Sequence, residues 1–106
     1  MIQVETTCHN RAEAEALAKR ILRARLAACV QLGEIASFYH WEGALEEASE
    51  VKLSIKTRAM LYPTLEKFIR EHHSYSVPQI TATPITNLSP DYQDWLEKET
   101  GHPDLA

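Results

Sequence analysis

28-ACVQLGEIASFYHWE-42 and 50-EVKLSIKT-57 are the two stretches that decide the fold. From Val51 onward the second stretch alternates between apolar and polar residues, which is the two-residue period of a strand with one buried face. The first stretch is long, holds several aromatic residues and lacks a helical period, and Glu42-Gly43 supplies a turn after it. We therefore predict a long β-hairpin with one dry and one wetter face, bulged or bent at Gly33.

The segments on either side of this hairpin predict strands and helices in a regular order. They are a strand at 2–8, a helix at about 11–26 opened by Asn10, a helix marked by Leu61, Leu65, Phe68 and Ile69 with Pro63 in its first turn, a strand at 77–85 and a helix from Ser89 to Gly101. Prolines bracket the strand at 77–85 and favour an edge position in the sheet. Residues 102–106 are expected to form a loose tail. The order β-α-β-β-α-β plus a terminal helix predicts an α+β, ferredoxin-like sandwich as one domain over 1–106.

Composition excludes several classes of protein. The net charge is −4 and no run rich in lysine and arginine occurs, so we expect no nucleic-acid partner. The first residues turn polar at once and no apolar stretch is long enough for a membrane span, so neither a signal peptide nor a membrane partner is expected. Cys8 and Cys29 are too few for a disulfide framework and lack a CxxC spacing. The expected location is the cytoplasm, where both thiols stay reduced.

Five motifs in register carry a family resemblance over nearly the whole chain. They are 25-RLAACVQ-31, 39-YHWEG-43, 50-EVKLSIKTR-58, 72-HHSYSVPQI-80 and 92-YQDWL-96. In order and spacing they resemble the CutA family of divalent-cation-tolerance proteins. The resemblance implies a ferredoxin-like subunit in a tight homotrimer whose long strands pair across subunit boundaries. The predicted hairpin agrees with this, because strand edges too long for two helices to cover invite pairing with another chain. The chain departs from the family pattern at Ser76 and Gln79, where carboxylates are common.

The family resemblance also directs attention to possible metal ligands. His72 and His73 match histidines associated with metal binding in the family, and imidazole is a common ligand of copper, zinc and nickel. Cys8 lies at the end of the first strand, where the family has a metal-linked cysteine, although Thr6 could be the matching position. Against a metal role, histidines at a helix C-terminus also interact with the helix dipole, and a small thiol can simply pack at a turn. No cofactor is expected to be required; copper or another divalent metal is a possible ligand.

A second group of residues combines aromatic rings with charges. Its members come from the hairpin and from the loop before the last strand, namely Tyr39, Trp41, Glu50, Lys56 and Tyr75. If these residues converge near a subunit boundary, they could line a pocket for a small anion or metabolite. Aromatic residues are equally common at interfaces for packing alone, and the interface is the favoured interpretation.

Three classes of function follow. The first, implied by the resemblance, is a non-enzymatic trimer in divalent metal tolerance that binds copper weakly. The second is a signalling or adaptor module comparable to the trimeric PII proteins, with a small ligand between subunits. The third, an acylphosphatase-like enzyme, would need an arginine in a glycine-rich loop after the first strand; Arg11 lies near that place, but the chain has only 3 glycines and none shapes such a loop. We therefore expect no enzymatic activity.

Overall fold

Residues 1–101 of the computed structural model form one four-stranded antiparallel sheet and three helices. In chain order the elements are β1 (Ile2–Cys8), α1 (Arg11–Arg23), β2 (Cys29–Trp41), β3 (Ala44–Thr57), a short 3-10 turn (Ala59–Leu61), α2 (Tyr62–His72), β4 (Thr81–Pro84) and α3 (Pro90–Thr100). The strand order in the sheet is β2-β3-β1-β4. This confirms the predicted α+β, ferredoxin-like fold with a long hairpin and a C-terminal helix. The tail predicted at 102–106 lies outside the described residues.

The hairpin of β2 and β3 is the longest feature of the molecule. Its register runs without interruption from Cys29 opposite Lys56 to Trp41 opposite Ala44. Glu42 and Gly43 have φ values of 51° and 80°, the left-handed pair that a two-residue hairpin turn requires. Of the bulge or bend predicted at Gly33, the bulge is wrong: Gly33 pairs with Lys52 in the regular register. Each residue of β2 from Cys29 to Trp41 has one partner on β3, so no extra residue is inserted at this point.

The ends of the other elements follow local signals in part. The Asn10 side chain accepts a hydrogen bond of 2.9 Å from the Glu13 amide and opens α1 as predicted. The helix ends at Arg23 instead of near residue 26, because Arg25 adopts a φ of 60° and reverses the chain. The amides of Arg25 and Leu26 then donate to the carbonyls of Leu22 and Ile21, which is the Schellman termination. Leu26, the last residue of the predicted helix, is buried beyond that turn.

The last strand is shorter than predicted. β4 covers Thr81–Pro84 and pairs only with residues 2–5 of β1, so its predicted edge position is correct. Residues 77–80 stay outside the ladder, and Pro78 among them has no N–H to donate to it. This segment instead borders a cavity, as described below.

The core lies between one face of the sheet and helices α1 and α2. Val51, Leu53 and Ile55 of β3 are at most 5% exposed, as their alternation with polar residues predicts. They pack with apolar residues of β1, α1 and α2 in one continuous cluster. None of the helices within residues 1–101 has the length and apolarity that crossing a membrane would require.

Candidate functional site

The larger cavity, of about 780 Å³, lies beside the outer half of the hairpin. Its walls come from β2, from β3, from the junction of β1 and α1, and from the segment after α2. Four of the sequence-predicted residues line it together, namely Tyr39, Trp41, Glu50 and Tyr75. Lys56 does not: it lies opposite Cys29, and its Nζ donates a 2.6 Å hydrogen bond to Gln31 Oε1. Ser76 and Gln79, the departures from the family pattern, also line the cavity.

Glu50 is the charged group of this cavity and is only 9% exposed. Tyr75 Oη donates a hydrogen bond of 2.8 Å to its Oε2. Burial acts to raise the pKa of Glu50, but hydrogen bonds from the hydroxyls of Ser37, Tyr75 and Thr7, together with nearby His73, bring that pKa below its usual value. Glu50 is therefore a carboxylate at neutral pH.

The aromatic side chains of the cavity differ in their surroundings. Burial raises the pKa of Tyr75 well above its usual value, and the hydrogen bond to Glu50 and the charge of Glu50 raise it further. Tyr75 therefore remains a hydrogen-bond donor to the carboxylate. Tyr39 and Trp41 are 42% and 45% exposed, so their rings form walls that solvent and a ligand can reach.

The smaller cavity, of about 190 Å³, brings together the three predicted metal ligands, His72, His73 and Cys8. Tyr75 N–H donates to His73 Nδ1 over 3.0 Å, and His73 Nε2 lies 2.7 Å from the carbonyl oxygen of Thr7. Since a carbonyl can only accept, Nε2 carries the proton and Nδ1 uses its lone pair on the Tyr75 amide. Both ring nitrogens of His73 are thus engaged, and no lone pair is left for a metal.

Unlike His73, His72 uses only one of its two ring nitrogens in a hydrogen bond within residues 1–101. Its Nδ1 lies 2.8 Å from the carbonyl oxygen of Phe68, to which it donates, and its ring stacks on Phe68 with 4.1 Å between centroids. The lone pair of Nε2 is then available for a metal. His72 therefore combines the predicted helix-end role with a possible ligand role.

Cys8 is a poor metal ligand in this arrangement. Its side chain is buried, with Sγ 4.0 Å from His73 Nε2. Burial raises the pKa of the thiol to about 11, with additional effects from the charges of Glu13 and Glu50. Metals bind the thiolate, and residues 1–101 hold no group of three or more His, Cys, Asp or Glu side chains arranged to hold a metal ion. A tightly held resident metal therefore does not fit here. Thr6, the alternative position, is fully buried in the core.

The burial of Cys8 predicts a difference between the two thiols. We expect iodoacetamide to modify Cys8 in the folded protein at least about 100-fold more slowly than in urea, because burial removes both access and thiolate. Half-buried Cys29 serves as the reference within the same sample. Mass spectrometry of the two cysteine peptides over time measures both rates; equal modification of Cys8 in folded and unfolded protein would contradict the structure.

No sequence pattern pointed to the hydroxyls of Ser37 and Thr7, which help to lower the pKa of Glu50. Ser37 follows from the hairpin register: the turn at Glu42-Gly43 places it two residues along β2 from Ile35, the partner of Glu50. Thr7 reaches the cavity only through the pairing of β1 with β3, which no local pattern indicates.

Strand order, helix placement and the long hairpin define a ferredoxin-like α+β domain with a ligand-sized cavity. The family model of the CutA1 divalent ion tolerance protein matches residues 2–99. The chain therefore belongs to the CutA1 family.

Relatives with known sequences and structures agree with this assignment. The divalent-cation tolerance protein CutA of Pyrococcus horikoshii is 42% identical over 94% of this chain and 98% of its own length. Protein CutA of mouse is 41% identical over 89% of this chain, which spans only 54% of the mouse protein. The crystal structure of Pyrococcus horikoshii CutA1 superposes with a TM-score of 0.91 at 41% identity, covering 94% of this chain and 98% of the other. The structure described as the periplasmic divalent cation tolerance protein CutA of Archaeoglobus fulgidus does so with 0.91 at 36% identity, covering 94% and 99%.

Proposed function

We propose that this protein serves divalent-cation tolerance as a non-catalytic homotrimer that binds copper or another divalent metal weakly. The family, whose description names divalent ion tolerance, supports the general role. The observation that carries the metal-binding part is the small cavity where His72 offers a free lone pair beside Cys8 and Glu13. One free imidazole next to a protonated thiol suits a weak, exchangeable ion better than a resident one.

This proposal predicts unequal roles for the two histidines. His72→Ala is expected to weaken copper binding by about ten-fold or more, because it removes the free imidazole of the cavity. His73→Ala is expected to change it much less, since both ring nitrogens of His73 already have partners. Calorimetric titration with cupric ion measures the affinities.

The control for these variants is His40→Ala, which removes an exposed imidazole from the hairpin. It is expected to leave the affinity unchanged. If His72→Ala binds copper as tightly as the wild type, the small cavity is not the metal site.

The trimer is supported by the hairpin. Within residues 1–101, β2 pairs only with β3, so its other edge carries backbone groups unpaired in this range along a strand of 13 residues. Several apolar side chains of the hairpin are also exposed, among them Phe38 at 66% and Leu45 at 73%. Closing three such edges into a ring would pair the backbone and cover the side chains. Sedimentation equilibrium at micromolar concentration tests this: a folded species at the 12.1 kDa of one chain would contradict the trimer.

A cytoplasmic location and the lack of catalysis are parts of the same proposal. Cys8 and Cys29 are both free thiols, which suits a reducing compartment. Cell fractionation tests the location, and the description of the Archaeoglobus fulgidus relative as periplasmic makes that test pertinent. Catalysis by Cys8 is disfavoured because its raised pKa, about 11, keeps the thiol protonated.

The larger cavity favours a second candidate function, a PII-like adaptor that responds to a small ligand. Its volume of about 780 Å³ lies within the range of small-molecule sites. Its aromatic walls and buried carboxylate supply both apolar contact and a polar group that orients a ligand. Thermal shift measurements across a panel of metabolites, compared with a panel of metals, separate this function from the first.

A further inference from the structure

We infer that the larger cavity binds a small organic cation, with an ammonium group at Glu50 and an apolar portion against Tyr39 and Trp41. The inference rests on the second function proposed above and specifies its ligand class. It replaces the small anion considered on the basis of sequence, because Lys56, the cation that would attract an anion, lies elsewhere on β3.

The charge of the cavity is the first observation that favours a cation. No salt bridge within residues 1–101 includes Glu50, and no lysine or arginine lines the cavity among these residues. The hydroxyls of Tyr75, Ser37 and Thr7 stabilise the Glu50 carboxylate, but they carry no positive charge of their own. A buried carboxylate without a counter-ion favours the entry of a cation, because the attraction is strong where water is scarce.

The aromatic walls of the cavity also favour a cation. The faces of tyrosine and tryptophan rings attract cations through their negative quadrupole, most strongly where the cation is desolvated. Tyr39 and Trp41 are on the same strand, two residues apart, and therefore project from the same side of β2. They form an aromatic surface beside the carboxylate that also accommodates the apolar part of an amine.

The ligand set distinguishes an organic cation from a bare metal ion. Divalent ions take several oxygen or nitrogen ligands at short distance. Here Glu50 is the only buried carboxylate of residues 1–101. The other polar groups of the cavity include hydroxyls, the His9 imidazole and the Gln79 amide, and no metal-holding group of three or more His, Cys, Asp or Glu is found among these residues. An ammonium group needs only one carboxylate and a few acceptors, and the volume leaves room for its carbon skeleton.

Three probes of similar shape and different charge test this inference: benzylammonium, benzyl alcohol and benzoate. Titrations followed by ¹H–¹⁵N spectra can monitor the indole N–H of Trp41, which lines the cavity, with Trp95 of α3 as internal reference. We expect benzylammonium to shift the Trp41 signal at about ten-fold lower concentration than benzyl alcohol, and benzoate to have the weakest effect.

The variant Glu50→Gln keeps the size of the side chain and an acceptor for Tyr75 but removes the charge. It is expected to abolish the preference for benzylammonium, whereas Glu46→Gln, an exposed position opposite Tyr39, is expected to retain it. If benzoate binds as well as benzylammonium to the wild type, the cation assignment is overturned while a small-molecule site remains. If none of the probes shifts Trp41 at millimolar concentration, both the ligand class and the adaptor function are overturned.

Discussion

Replacing Phe38 and Leu45 together by aspartate is expected to convert the proposed trimer into monomers. Phe38 pairs with Glu47, and Leu45 pairs with His40, so both side chains belong to the face of the hairpin that includes buried Val51. The ring of Phe38 and the aliphatic side chain of Leu45 extend this apolar face beyond the part that α1 and α2 cover. A partner subunit that buries them would have to bury two carboxylates in the variant, which costs several kcal/mol per ion.

Sedimentation velocity at micromolar concentration measures this change of mass. Met60→Asp is the control, because Met60 is 67% exposed and lies after β3, at the opposite end of that strand from the hairpin turn. We expect the control to keep the mass of the wild type. Circular dichroism verifies that both variants are folded. A Phe38→Asp/Leu45→Asp protein that remains trimeric would show that this face of the hairpin is not part of the interface.

Leu65→Ala is expected to lower the free energy of unfolding by about 3 kcal/mol, the usual cost of a cavity in a packed core. Leu65 is fully buried and belongs to the cluster in which α2 packs on α1 and the sheet. Leu53 and Ile69 of the same cluster are also fully buried, and a closely packed core fills the space left behind only in part.

Leu22→Ala provides a matched control on α1, since it makes the same substitution in a helix at a position 38% exposed. Its expected cost is below about 1 kcal/mol. Urea unfolding followed by circular dichroism measures both values, at one protein concentration because assembly makes stability concentration-dependent. Equal losses for the two variants would contradict the placement of the core.

Patterns within short segments predicted much of the fold. The alternation after Val51, the cap at Asn10 and the turn at Glu42-Gly43 involve residues close in sequence, and each formed the predicted element. Two of the predictions failed where a distant segment decided the outcome. Gly33 stays in a regular ladder because all of β3 pairs with β2, and residues 77–80 leave the sheet to border the large cavity.

The candidate sites divide in the same way. Sequence motifs pointed to residues of both cavities, and four of the five members of the aromatic group line one cavity. Lys56 shares a strand with Glu50, and its position six residues further along β3 separates it from the cavity. The hydroxyls of Ser37 and Thr7 complete the surroundings of Glu50, although they belong to no recognised motif.

The sequence by itself determined the order of strands and helices, the long hairpin and the CutA1 family, because periodicity and motif spacing are properties of neighbouring residues. Only the tertiary structure decided which side chains keep an atom available to bind a ligand. His72 and His73 are adjacent in sequence, yet the carbonyl of Thr7, 66 positions from His73, uses one ring nitrogen of His73. Such occupancy depends on backbone groups brought together by folding. It is the physical reason why a pair of histidines in the sequence becomes one available ligand in the structure.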